Sequence, residues 1–183
     1  YTGVLLYTPP SRHRAAPPPH STSLALTPFH HHRRLPQRAK RYIMSFGASE
    51  PFLHAGLECV RLTVEGQSFL LHHIRKMIAM AVEVVRGVVG EALFAASLTE
   101  TKVDLPLVPG VGLYLNRVFF ENYRRKFAND HDALDFDEPA TQRSVQLFKW
   151  EHIIRPAIEI ELRERPFFTW LQVMAKHPLS YEE

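Results

Sequence analysis

The chain has 183 residues, of which 45% are hydrophobic and 22% are charged, a composition typical of one globular domain with or without a tail. Its single cysteine excludes a disulfide scaffold and a CxxC metal site, and favours a reducing, intracellular compartment. No apolar run reaches the ~18–20 residues needed to cross a bilayer, so the sequence predicts no membrane partner.

The first forty residues form a basic segment rich in proline and histidine. Residues 1–49 hold seven Lys or Arg and no Asp or Glu, whereas the rest hold fifteen against nineteen. The seven prolines within residues 1–40 predict a flexible insertion or tail, because such a composition buries too little apolar surface to offset its ordering entropy. The segment either binds a polyanion or is solvated, and both interpretations stay open. The run His30-His31-His32 favours disorder over a metal site.

Order is predicted to begin near Arg41. RYIMSF (41–46) has the composition of a short strand, and GASEP (47–51) that of a turn. In LECVRLTVEG (57–66), alternate residues are apolar along one face, which predicts a second strand that ends at Gly66.

A helix is predicted over residues 68–86, with Ser68 as its N-cap. At ~100° per residue, one arc of this helix carries mostly polar residues and the other is apolar, with Arg75 at the boundary. His72 points outward and His73 inward. Because the two histidines point about 100° apart, they cannot share an ion as histidines at i and i+4 do, and no metal site is predicted. The polar arc comprises Ser68, His72, Arg75, Lys76, Ala79, Glu83 and Arg86.

The remaining elements alternate between short ordered segments and loops. A short helix is predicted at 90–97 and an extended Pro/Gly loop at 102–112. LYLNRVFFEN (113–122) is apolar on both faces, which predicts a central strand. A polar stretch then precedes several helices, which Pro156 and Pro166 are expected to separate.

The motif search excludes several enzyme chemistries. There is no GxSxG, no glycine-rich phosphate loop and no catalytic cysteine motif. His72, Arg75 and Lys76 lie near a helix N-terminus, where phosphate binding is favoured. An amphipathic helix with a solvated polar face explains the same pattern, and the pattern taken alone favours that simpler explanation.

Two segments together resemble the C-terminal half of TruA-like tRNA pseudouridine synthases of the eukaryotic branch: GQSFLLHHIRKM (66–77) and PGVGLYLNRV (109–118). KWEHIIRP (149–156) is similar to the C-terminal extension of that branch. The resemblance implies an α+β, pseudouridine-synthase-type C-terminal domain with a mostly antiparallel sheet packed with helices. The implied organisation is a flexible segment (1–40), the domain core (41–123), a polar loop (124–140), a helical C-terminal extension (141–175) and a tail (176–183).

The resemblance also implies an activity. Family members isomerise uridine to pseudouridine in tRNA or another structured RNA, such as rRNA, without a metal or organic cofactor. The target base is flipped out of its stack, which costs a few kcal/mol. The catalytic Asp of the family lies in a GRTDxGVHA-like motif of the N-terminal half, and no Asp followed by x-Gly occurs in these 183 residues. The chain is therefore expected to supply only the C-terminal wall of an active-site cleft.

Two alternatives remain beside this enzyme. One is a catalytically inactive relative that serves RNA binding or ribosome assembly with ribonucleoprotein partners. The other, weaker one is a protein-interaction domain that shares only the fold. An intracellular location, mitochondrial or nuclear, fits all of them.

The resemblance assigns roles to few residues. Arg75 matches the arginine that pairs with the catalytic Asp and helps to hold the flipped nucleotide. Leu113 matches an apolar residue that packs near the target base, although strand core explains it as well. His72 and Lys76 are expected to contact RNA phosphates by position alone. Asp104 belongs to a different segment and is not assigned the catalytic role.

Overall fold

The computed structural model describes residues 41–99, 103–132 and 136–177 with their side chains, and residues 2–7 and 24–26 as backbone. Within these ranges, the strands form an antiparallel sheet with the order β2-β3-β5-β1-β6, and β4 pairs with β5. The strands are β1 (Thr2–Tyr7), β2 (Leu24–Leu26), β3 (Arg41–Ala48), β4 (Phe52–His54), β5 (Leu57–Gly66) and β6 (Tyr114–Arg117).

The described helices all come after β5 in the sequence. They are α1 (His73–Val85), α2 (Glu91–Ser97), α3 (Glu121–Phe127), α4 (Pro139–Lys149), α5 (Arg155–Glu164) and α6 (Pro166–Lys176), with a π-helical segment (Trp150–Ile154) between α4 and α5. The mixture of helices with an antiparallel sheet confirms the α+β class. In the described part of the chain, no helix combines the length and apolarity needed to cross a membrane.

The flexible segment predicted over residues 1–40 is wrong for residues 2–7 and 24–26. β1 lies inside the sheet, paired with β5 on one side and β6 on the other. Its sequence, TGVLLY, has the apolar and β-branched residues that favour strands, but the proline-rich composition of the whole segment masks this short run. The rest of residues 1–40, with its histidine run, lies outside the described residues.

The start of α1 differs from the prediction. Ser68 is not the N-cap, because the helix begins at His73, and His72 precedes it with a left-handed φ of 62°. The carbonyl oxygen of His72 accepts a hydrogen bond from the Lys76 N–H at 3.0 Å. Residues 67–72 therefore form a loop from β5 to α1. Gly66 opens this loop where a Cβ atom would lie 3.0 Å from the Tyr42 carbonyl oxygen, so only glycine fits without a shift.

The region after the Pro/Gly loop also differs from the prediction. The strand predicted over 113–122 is present but shorter, since β6 has four residues. It is not central as predicted, because it ends the described strand order and Leu115 is 57% exposed. The predicted polar loop at 124–140 is wrong at its start, because α3 extends to Phe127. Of the apolar residues that suggested a buried strand, Leu113 packs against the main core, and the Phe120 ring lies 5.9 Å from the Phe136 ring.

Pro156 lies at the start of a new helix, α5, as predicted, but a π-helical segment and not a break precedes that helix. A proline inside a helix lacks an N–H and clashes with the carbonyl four residues earlier. The π-helical segment changes the backbone spacing ahead of Pro156. Pro156 then falls in the first turn of α5, where a proline is tolerated because an α-helix does not use the N–H groups of that turn. Pro166 does begin a new helix, as predicted, after Arg165 adopts a left-handed φ of 52°.

Helices cover both faces of the sheet. Alternate residues of a strand point to opposite faces, so β5 contributes to two cores. Val64 and Leu62 face α1, and we call this side the α1 face. Cys59 packs on the other side against Ile154, Ala157 and Ile158, and we call this the extension face because the C-terminal helices cover it.

Candidate functional site

A loop from Val103 to Leu113 leads from α2 towards β6. Its side chains Val103, Leu105 and Val108 are buried in the core formed with α1 and α6. A turn closes it, in which the Leu113 N–H donates to the Gly110 carbonyl oxygen at 3.1 Å. Gly112 has a φ of 77°, a value that glycine adopts without strain. The PGVGL sequence therefore fixes the position of the loop and of the start of β6.

This loop holds the side chain of Arg75. The Arg75 Nε atom donates a hydrogen bond to the carbonyl oxygen of Val108 at 2.5 Å, and Val108 is 0% exposed. A carbonyl oxygen fixes the guanidinium without neutralising its charge. No second hydrogen-bond or ion-pair partner for this guanidinium is found among residues 41–99, 103–132 and 136–177. Its terminal N–H groups are thus available to an acceptor of carboxylate shape.

The C-terminal extension supports the same loop. The indole Nε1 of Trp170, a residue that is 5% exposed, donates to the Pro106 carbonyl oxygen at 3.1 Å. Glu161 fixes the start of α6, because its carboxylate accepts hydrogen bonds from the N–H groups of Phe167 at 2.9 Å and Phe168 at 3.3 Å. A chain of hydrogen bonds and loop backbone therefore connects α6 to Arg75.

The residues around Arg75 lie in different environments. His72 is exposed, whereas His73 is 2% exposed and lies 6.2 Å from the Phe69 ring. Lys76 is half-buried and immediately follows Arg75. The two histidines thus point apart. In the described ranges, no three His, Cys, Asp or Glu residues lie close enough to hold a metal ion.

The polar arc predicted for α1 is only partly correct. Glu83 is 1% exposed and forms an ion pair with Arg86, and Ala79 is fully buried. Core residues therefore cover the middle of this arc, which leaves its outward-facing basic residues at the two ends of α1. Leu113 is half-buried against the core of the α1 face, a position that fits either of its two interpretations.

Sequence reasoning missed a second set of basic side chains, on the extension face. They are Arg61 of β5, Arg117 of β6 and Lys149 of α4, which we call the cation group. The Lys149 Nζ atom donates to the Asn116 Oδ1 atom at 2.8 Å. Partial burial lowers the pKa of Lys149, and the charges of Arg61 and Arg117 lower it further. Arg61 and Arg117 are therefore each close enough to Lys149 to repel its charge.

Aromatic and acidic neighbours complete this surface. Burial raises the pKa of Tyr114, and the positive charge of Arg61 opposes that rise. Arg117 lies 2.7 Å from the carboxylate of Asp137, with both side chains about half exposed, and 5.2 Å from the Phe119 ring centroid. No sequence signal could have found this set, because pairing of distant segments brings residues 61, 117 and 149 together.

The chain is similar to proteins of one family. A family model described as tRNA pseudouridine synthase matches residues 27–121. The human protein "Pseudouridylate synthase 1 homolog" is 41% identical over 144 residues, which are 78% of this chain and 33% of the human protein. The mouse protein of the same name is 39% identical over 144 residues, 78% of this chain and 34% of the relative.

A fungal protein gives a similar match. "tRNA pseudouridine synthase 1" of Schizosaccharomyces pombe is 36% identical over 137 residues, which are 74% of this chain and 25% of that protein. The chain thus spans a quarter to a third of the length of these curated relatives.

Proposed function

The chain belongs to the tRNA pseudouridine synthase family, and from that premise we propose that it forms the C-terminal wall of an active-site cleft that isomerises uridine to pseudouridine in tRNA. The proposal extends to other structured RNA, rRNA included. The catalytic Asp would come from sequence outside these 183 residues, in which no Asp is followed by x-Gly. The names of the relatives support the reaction and the tRNA substrate.

The single observation that carries this proposal is the state of Arg75. Its Nε atom is bound to the Val108 carbonyl oxygen, and its terminal N–H groups have no partner among the described residues. A guanidinium fixed in this way presents a planar fork to a carboxylate at no further ordering cost. We infer that Arg75 orients the catalytic Asp against the flipped nucleotide.

The other predicted residues would act on the RNA around that point. Leu113 lies between the PGVG turn and β6, and an apolar side chain there offers a surface for the flipped base. His72 precedes α1 and Lys76 follows Arg75 in its first turn, where a phosphate would meet the helix N-terminus. Base flipping requires that such contacts offset the unstacking cost of a few kcal/mol.

A second candidate function is an inactive RNA-binding or ribosome-assembly factor. The two candidates differ in one property, since only the enzyme converts uridine. Both use the same fold and the same basic side chains.

The decisive test uses the complete reading frame and tRNA labelled with tritium at C5 of uridine. Pseudouridine formation attaches the ribose to C5 and so releases that hydrogen. We expect release with the unaltered protein, and a loss of at least about 100-fold with Arg75→Ala, with RNA affinity within about threefold. Arg163→Ala serves as the control, because Arg163 is exposed on α5 and paired with Glu164.

Each outcome decides between the candidates. Normal turnover by Arg75→Ala contradicts the role of Arg75. RNA binding by the unaltered protein without tritium release from any tRNA supports the inactive factor instead.

A further inference from the structure

We propose that the cation group, Arg61, Arg117 and Lys149, binds the phosphate backbone of RNA on the extension face of the sheet. The inference rests on the proposed function only in that RNA is the ligand. It assigns binding to a surface opposite α1 that includes none of the residues of the GQSFLLHHIRKM motif.

The strand register places these side chains on one surface. Residues paired across antiparallel strands point to the same face. Thr63 pairs with Val4 and Val4 pairs with Tyr114, so the side chains of Thr63 and Tyr114 share a face. Arg61 lies two residues from Thr63 and shares this face. Arg117 shares it too, because a register shift in the pairing of β1 with β6 places it opposite Thr2, two residues from Val4.

Helix α4 brings the third cation to this surface. The Lys149 ammonium is held by Asn116 at 2.8 Å, and its pKa responds to the charges of both Arg61 and Arg117. Arg117 follows Asn116 directly at the end of β6. Two strands and one helix therefore direct their basic side chains to the same place.

The charges of this surface are not balanced. Asp137 pairs with Arg117, but Lys149 is bound to a neutral amide, and Arg61 has no ion-pair partner among the described residues. Glu65 lies on the same face, across β1 from Arg117, because Thr2 pairs with both. It is four residues, about 13 Å along the strand, from Arg61. Gathering like charges destabilises a fold unless an anion binds there. The surface thus suits a negatively charged ligand.

The spacing of the cations favours a backbone of successive phosphates over one small anion. β1 separates β5 from β6, so Arg61 and Arg117 start from strands about 10 Å apart. Their guanidinium groups therefore reach different phosphates more readily than one. Tyr114 and Phe119 lie beside the cations, and aromatic rings next to basic residues are common where unpaired bases approach a protein.

The test measures how RNA affinity depends on salt, using fluorescence anisotropy of labelled tRNA with the full protein. Each cation that neutralises a phosphate adds ~0.7–0.9 to the slope of log K against log salt. We expect Lys149→Gln and Arg61→Gln each to reduce that slope by about 1 and to weaken binding several-fold, equally for unrelated RNA sequences. Lys149→Arg keeps the charge and should keep the slope.

The control is Arg163→Gln, which removes the same charge from an exposed position on α5 and should leave the slope unchanged. An unchanged slope in both Lys149→Gln and Arg61→Gln overturns the inference, even if affinity falls. Inorganic pyrophosphate that competes as well as an RNA oligonucleotide of equal phosphate concentration also overturns it, in favour of a small-anion site.

The outcome is separable from that of the proposed function. Reduced slopes in a protein that converts no uridine support this site and contradict the enzyme. Normal conversion of uridine with unchanged slopes contradicts this site alone.

Discussion

Arg75 and Lys149 are both half-buried cations that rest on a neutral oxygen, but their surroundings differ. Arg75 donates to a buried backbone carbonyl, and its loop is supported from behind by Trp170. Lys149 donates to a side-chain amide and shares its surroundings with two more cations. A single fixed fork suits one acceptor of defined geometry, whereas a group of repelling cations suits an extended polyanion. The comparison separates a positioning site from a binding surface.

The largest expected effect tests whether the guanidinium or only the charge matters. Arg75→Lys should lower uridine conversion by about 100-fold or more, because one ammonium cannot bind Val108 and also present a planar fork. Arg61→Lys should keep RNA affinity within about twofold, because a phosphate backbone needs only the charge. Initial rates of tritium release and anisotropy titrations measure the two effects. Equal tolerance of lysine at both positions would remove the distinction.

A smaller effect is expected from the support behind Arg75. Trp170→Phe removes the indole N–H that binds the Pro106 carbonyl oxygen, and should lower kcat by about 3- to 10-fold with KM unchanged as Arg75 loses its fixed position. Stability should fall by about 1–2 kcal/mol, from the lost hydrogen bond and looser packing. Steady-state kinetics and urea unfolding provide the two readings.

The matched control is Trp150→Phe, which shortens an indole that packs on the extension face. It should lower stability without lowering kcat. A kcat that falls equally in both variants would mean that Trp170 acts through general stability and not through the loop.

The sequence revealed these two regions to different degrees, for a physical reason. Arg75 could be found because helical periodicity placed it at the boundary of two arcs, and the family motif surrounds it locally. The hydrogen bond to Val108 could not be found, since it spans 33 residues and depends on the Gly112 turn. Arg61 and Lys149 escaped detection altogether, because nothing in their local sequence differs from an ordinary solvated surface.

The fold shows the same limit. β3, β5 and α2 were predictable because each carries its own pattern. β1 was hidden by the proline-rich composition around it. The position of β6 at the end of the described strand order depends on pairing with β1, which no local pattern encodes.

The smallest expected effect is on stability, and it has the opposite sign from the effect on binding. The pKa of Lys149 is below its ordinary value of 10.5, so between those two values the unfolded chain binds more protons and the unfolding free energy rises with pH. Below that window the charged Lys149 destabilises the fold.

Lys149→Met should therefore raise the melting temperature at pH 7 by about 1–2 °C, within the ~0.5 kcal/mol usual for surface changes, and the variant's stability should no longer rise with pH. Thermal unfolding at pH 7 and at alkaline pH measures both, with Lys176→Met, at an exposed position of α6, as the control. A lower melting temperature for Lys149→Met at pH 7 would show that the ammonium stabilises the fold, and would contradict repulsion among the cation group.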